Sequence, residues 1–125
     1  MKICEAITKI DTRMHNTYSE ETKVEWLSKL DWMVKKNIVD THVGGESVLF
    51  GGYDENTEME TELLVPEPFD ELYIRWLEAQ IHYANGEYGK YNNAILMFNT
   101  EYQSYADYYN RKYTPMSSGV NRFLF

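Results

Sequence analysis

The chain has 125 residues, 43% hydrophobic and 26% charged, with a formal net charge of -8. That is the length of one domain with a normal core, and it excludes a disordered chain and a second independent core. Residues 54–71 hold eight acids and no base, while the rest of the chain carries twelve acids and twelve bases. The imbalance therefore belongs to one segment. No basic face is present to neutralise phosphates, which argues against a nucleic-acid reader and against binding to an anionic membrane surface.

A single cysteine, Cys4, excludes an intrachain disulfide. Charges at Lys2, Glu5, Lys9, Asp11 and Arg13 interrupt the amino-terminal stretch, so it does not read as a signal peptide. No apolar run approaches the ~20 residues of a membrane span. The expectation is a soluble protein, intracellular when made. Eleven tyrosines are present, ten of them from Tyr53 onward. Tyrosine suits half-buried surfaces and partner contacts, and at helical spacing it is more often packing.

Ile3, Ile7, Ile10 and Met14 recur at helical spacing and predict a short amphipathic helix. A second helix is predicted from a cap at Ser19, or a Thr17–Glu20 capping box, to about Asp40. Its core stripe is Leu27, Leu30, Val34 and Ile38, widened by Val24, Trp26, Met33 and Val39. Glu25 with Lys29, and Asp31 with Lys35, read as i, i+4 ion pairs on its surface. Gly44-Gly45 ends the element. Ser47–Phe50 lies between two Gly-Gly pairs and reads equally as a strand or an exposed loop tip. The acidic run follows, then Leu63–Val65 and the stops at Pro66 and Pro68. A β-hairpin pairing 47–50 with 62–65 would shorten an otherwise long loop.

Pro68 suits the first turn of a third helix, with Asp70 and Glu71 at its positive end. Leu72, Trp76, Ala79 and Tyr83 form one stripe, and Tyr73, Leu77, Gln80 and Ala84 the next. Asn85-Gly86 breaks it. A last helix runs from about Glu87 to Lys112 with Tyr91, Ile95, Phe98, Tyr102, Tyr105 and Tyr109 as a coiled-coil-like seam. The fold expected is all-α: about four helices in residues 1–113, a long acidic inter-helix loop, and an extended tail over 114–125. In the tail Val120, Phe123, Leu124 and Phe125 form an apolar cluster.

No catalytic or metal constellation stands out, and nothing calls for a cofactor. Asp54-x-Asn56-x-Glu58 opens like an EF-hand, but Met59 and Val65 occupy the positions that need Gly and Glu. Glu78 and His82 make one pair at the wrong spacing for a di-iron bundle. Asp40, His42 and Glu46 read as residues of a helix end. Cys4 has no histidine near it, no serine sits in a nucleophile elbow, and the glycine pairs lack the Lys-Ser/Thr of a phosphate loop. What remains is interaction chemistry. The acidic loop, Asp54, Glu55, Glu58, Glu60 and Glu62, is a candidate channel or partner face. Phe50, Tyr53, Val120, Phe123, Leu124 and Phe125 are candidate subunit contacts.

Glu62-Leu-Leu-Val-Pro-Glu-Pro-Phe-Asp-Glu-Leu-Tyr73, then Arg75-Trp-Leu-Glu-Ala-Gln-Ile-His-Tyr83, then Tyr108-Tyr-Asn-Arg111 carry a resemblance across roughly residues 17–113. Here the chain is similar to the small all-helical head–tail connector, or head-completion adaptor, proteins of tailed phages and prophages. The resemblance rests on helix order, aromatic pattern and the Tyr-Tyr-Asn-Arg ending, and brings no enzymatic residues with it. It implies a virion structural protein, made in the bacterial host cytoplasm, that oligomerises as a ring between portal and tail-completion proteins. The strong acidity of residues 54–71 is a departure from that pattern, and argues against the loop gripping DNA. A small acidic regulatory protein, or a DNA mimic holding a basic host partner, is the competing expectation.

Overall fold

The computed structural model describes residues 1–116. Four α-helices carry the fold: α1 (Ile3–Arg13), α2 (Glu20–Asn37), α3 (Glu71–Ala84) and α4 (Tyr88–Lys112). Among the described residues there is no β-strand, so the small all-α bundle expected from periodicity is what forms.

Each helix begins and ends for a local reason. The α1 stripe buries Ile3, Ala6, Ile7 and Ile10. Ser19 caps α2, its hydroxyl accepting from the Thr22 N–H at 3.1 Å. α2 stops at Asn37, short of the expected Asp40, and a single 3-10 turn over Val39–Thr41 follows. α3 starts at Glu71, three residues after Pro68, with Asp70 at its N-cap. Gly86, at φ 76°, turns the chain out of α3, and its N–H donates to the Tyr83 carbonyl.

α3 is the central element and buries Leu72, Tyr73, Ile74, Leu77, Ala79 and Ile81 around most of its circumference. α4 lies chiefly along α3. The expected α4 seam faces inward: Phe98, Tyr105 and Tyr109 are buried, and Tyr91, Ile95 and Tyr102 half-buried. Trp76 on α3 meets Phe98 at 5.0 Å between ring centroids, and its indole N–H donates to the Trp26 carbonyl on α2 at 2.8 Å. Lys23 on α2 is buried and reaches Asp11 on α1 at 2.6 Å.

The chain between α2 and α3 forms no hairpin. Ser47 ends a second 3-10 turn (Gly45–Ser47), and Leu49 stands 89% exposed. The returning arm goes to α1 instead. The Ile3 and Cys4 N–H groups, unpaired donors of a first helical turn, donate to the Thr61 and Met59 carbonyls, and Leu63 N–H donates to Met1 O. Helix α1 thus needs capping partners, and the loop supplies them at the cost of a hairpin. Leu63 and Val65 enter the common core. After α4, residues 114–116 run back along residues 41–43: Val43 N–H donates to Thr114 O at 2.8 Å and Met116 N–H to Thr41 O at 3.0 Å. Val120, Phe123, Leu124 and Phe125 lie outside the described residues.

Candidate functional site: an acidic loop closed on a buried aspartate

Asp31 organises the loop. In α2 the sequence Val24, Leu27, Asp31, Val34, Ile38 follows steps of three and four, so the carboxyl sits in the apolar stripe and is fully buried. It accepts three hydrogen bonds: from the Tyr53 hydroxyl at 2.5 Å, the Tyr73 hydroxyl at 2.6 Å and the Leu64 N–H at 3.1 Å. The Tyr73 hydroxyl in turn accepts from the Val65 N–H at 2.8 Å. Burial raises the Asp31 pKa above the ordinary carboxylate value, against the pull of the two hydroxyls and the amide. Burial and the adjacent carboxylate push the Tyr53 and Tyr73 hydroxyls well above the usual tyrosine value, so both remain donors.

This corrects the surface pairing expected of Asp31 with Lys35. Lys35 turns the other way, to Asp40 at 2.5 Å and the Gly45 carbonyl at 2.9 Å. Among the described residues, Glu25 and Lys29 form no ion pair either. A carboxyl four residues from a lysine satisfies a surface rule, but its neighbours at three and four residues were the better guide to where it points.

The consequence is geometric. Tyr53 begins the acidic stretch and Leu64–Val65 end it, and both ends meet at one carboxyl. Residues 54–63 therefore form a compact loop with its ends joined, the arrangement of an Ω-loop. Tyr53 is further held by its N–H donating to the Ser28 hydroxyl at 3.0 Å. Its ring meets Phe50, which meets the half-exposed Trp32, at 5.0 and 4.9 Å between centroids. Phe50 and Tyr53, expected as subunit contacts, are thus half-buried in an intramolecular aromatic row, and the Tyr53 hydroxyl is committed to Asp31. Inside the loop, Asp54 accepts from the Asn56 N–H at 2.8 Å.

The eight acids of residues 54–71 divide into two groups. Glu60 pairs with Lys2 at 2.8 Å, Glu71 with Arg13 at 2.9 Å, and Glu62 and Asp70 lie 3.4 and 3.7 Å from the Met1 amino group. Hydrogen bonds from Lys2 and then the Cys4 thiol lower the Glu60 pKa. Asp54, Glu55, Glu58 and Glu67 have no ion pair among the described residues and stand exposed. Glu20, Glu21 and Glu25 of α2 join them, lining with Asp54 and Glu55 two shallow clefts of about 170 and 190 Å³. The exposed acidic face therefore contains three carboxylates that charge counting assigned to a neutral body. Glu60 and Glu62 are exposed as well, but their charges are paired with Lys2 and the Met1 amino group.

The other polar groups have structural partners. His42 is buried, its Nδ1–H donating to the Ile38 carbonyl at 2.6 Å and its Nε2 lying 2.7 Å from the Asn110 side chain. It joins the end of α2 to α4, and its ring meets Tyr109 edge-on at 4.8 Å. Glu78 lies between Arg75 and Arg13, at 3.4 and 3.8 Å, while His82 reaches Glu87 at 2.9 Å. The Cys4 thiol donates to Glu60 at 3.5 Å, and burial, then Glu60, raises its pKa, away from a reactive thiolate. No cluster of three or more His, Cys, Asp or Glu fit to hold a metal ion occurs among the described residues. No described helix is long and apolar enough to cross a membrane. Comparison with protein-family models, curated proteins and solved structures gives no match to this chain.

Proposed function

We propose that the chain is a non-catalytic structural protein of a tailed-phage or prophage virion, a head–tail connector that oligomerises as a ring between portal and tail-completion proteins. The observation that carries this reading is the closed acidic loop. Asp54, Glu55 and Glu58 are displayed at a fixed place on a helical body, with no ion pair among the described residues. Facing the channel of a ring, such carboxylates repel DNA phosphates and let a genome slide past rather than adhere. The helical resemblance supplies the specific assembly. Electron microscopy of the chain co-expressed with portal and capsid proteins tests it: rings seated on the portal are expected, and a protein that stays monomeric with those partners present contradicts the reading. Deleting residues 120–125 is expected to impair that assembly while leaving the helical circular dichroism intact.

A second reading, an acidic protein holding a basic partner, gains from the addition of Glu20, Glu21 and Glu25 to the exposed acidic face. It requires that a basic host protein be captured by the wild-type chain and lost when Glu55 and Glu58 are replaced by Gln. Capture of that kind, together with a monomer, would replace the connector reading.

A further inference from the structure

We propose that the apolar segment 120–125 docks on its own chain, in a cavity at the carboxy-terminal end of α4. This docking requires neither a ring nor a second copy. The cavity holds about 170 Å³ and is half open to solvent. Its walls are Val39 and Val48 from the chain after α2, Leu64 and Pro66 from the returning arm, and Tyr105 and Tyr109 from α4. The one charge in the lining is Lys112, whose amine lies over the Tyr108 and Tyr113 rings, 5.6 and 5.4 Å from their centroids. A small-molecule site spans ~300 Å³ or more. This cavity is smaller, and its aliphatic and aromatic walls suit one large apolar side chain.

The course of the chain identifies the occupant. After α4 the backbone leaves the cavity wall at Tyr113 and pairs with residues 41–43 in antiparallel sense: Val43 N–H donates to Thr114 O, and Met116 N–H to Thr41 O. A chain continued in that sense draws level with Val39, a wall residue, at position 118. Ser117-Ser118-Gly119 are small residues that admit a turn there. Val120, Phe123, Leu124 and Phe125 follow, and Phe123 lies within ~25 Å of chain from Met116. The charges are complementary as well. Arg122 is the one charged residue of 117–125, while Glu67, next to Pro66 at the rim, is exposed and has no ion pair among the described residues. Magnitudes favour the same chain over another. A contact of one buried side chain holds a free partner no more tightly than on the order of millimolar, and a second copy carrying -8 is repelled besides. A short tether raises the local concentration of the segment into that same millimolar range. Stored so, the segment is withheld from other chains until a surface that binds it more tightly takes it.

Methyl NMR of the full chain over a range of concentrations tests this, comparing wild type with Phe123→Ser/Leu124→Ser/Phe125→Ser. The three substitutions lie outside the four helices, and circular dichroism will verify the fold. Wild type is expected to show nuclear Overhauser contacts from a Phe ring of 123–125 to the methyls of Val39, Val48 and Leu64, unchanged with concentration. The triple variant is expected to lose them and to shift those methyl resonances, leaving Ile7 and Ile10 of α1 unmoved. Val48→Phe fills the cavity from its own wall and is expected to abolish the contacts to Val39 and Leu64. If Val48→Phe fails to fold, the triple variant alone decides. Wild type without the contacts, a triple variant whose Val39, Val48 and Leu64 methyls match wild type, or a folded Val48→Phe that keeps the contacts overturns the proposal. Contacts that appear only at high concentration overturn it too, since they come from another copy. None of these outcomes decides the ring reading, which the electron microscopy tests.

Discussion

Asp31 is the residue on which most depends. Its carboxyl accepts from two hydroxyls and one amide, all drawn out of water. Asp31→Ala leaves the Leu64 N–H without a partner and the Tyr53 and Tyr73 hydroxyls without an acceptor, so a loss of about 3 kcal/mol in denaturant unfolding is expected. The pH dependence has a definite sign. Burial raises the folded-state pKa, so the folded protein holds a proton on Asp31 at pH values where the unfolded chain has lost it. This group's contribution is fully present below the ordinary carboxylate pKa and is lost as pH rises through the folded value. Relative to wild type, Asp31→Asn is expected to lack that falling component in the acid range. Two glycines carry sharper tests. Gly52 sits at φ 91°, and a Cβ there would lie 3.1 Å from the Trp32 indole nitrogen, so Gly52→Ala is expected to cost roughly 1–2 kcal/mol. A Cβ on Gly45 would fall 2.3 Å from the Val39 carbonyl oxygen, which is backbone and cannot step aside, so Gly45→Ala is expected to be the more damaging of the two in thermal unfolding.

At the scale of elements, the helices were legible because each apolar stripe keeps one period. Ile3–Ile10 and Phe98–Tyr109 face inward as their spacing requires, and Ser19 caps as its position requires. The connection from Val48 to Asp70 was not legible. Its partners are the open N–H groups of α1 and a carboxyl on α2, 33 residues before Leu64 in sequence, and such distant requirements leave no periodic trace. Asp31 itself did leave one, the spacing of four and three that sets it between Leu27 and Val34, which the nearby Lys35 obscured. The tyrosine seam of α4 gives the element-level prediction. Burial first of all raises the pKa of Tyr105 and Tyr109, as it does for Tyr53 and Tyr73. Spectrophotometric titration through the ordinary tyrosine value of ~10 is therefore expected to ionise fewer than the eleven tyrosines present. The remainder should appear with loss of helical circular dichroism. Because these folded-state values are raised, the seam's stabilising contribution is lost as pH climbs above that ordinary value.

For the whole molecule, the net charge of -8 is arranged as two surfaces. One is an acidic face built from the closed loop and the first turns of α2. The other is the outer side of α4, whose exposed positions from Asn92 to Ser104 are uncharged. The helices and their charge bias could be seen in the sequence, but the division could not, because it depends on which acids α1 engages and which stay free. That Glu60 and Glu62, though exposed, are paired with Lys2 and the Met1 amino group while Glu20, Glu21 and Glu25 stand beside the unpaired acids of the loop is a property of packing alone. The functional reading depends on the acidic stretch being held in place by its two ends. Amide hydrogen exchange at Tyr53, Leu64 and Val65 measures that most directly. All three amides are expected to be protected in the wild type and to open together, faster, in Asp31→Asn, while α3 amides such as Ile81 stay slow. Free exchange of these amides in the wild type, or a change in Asp31→Asn confined to Leu64, would contradict a loop closed on Asp31.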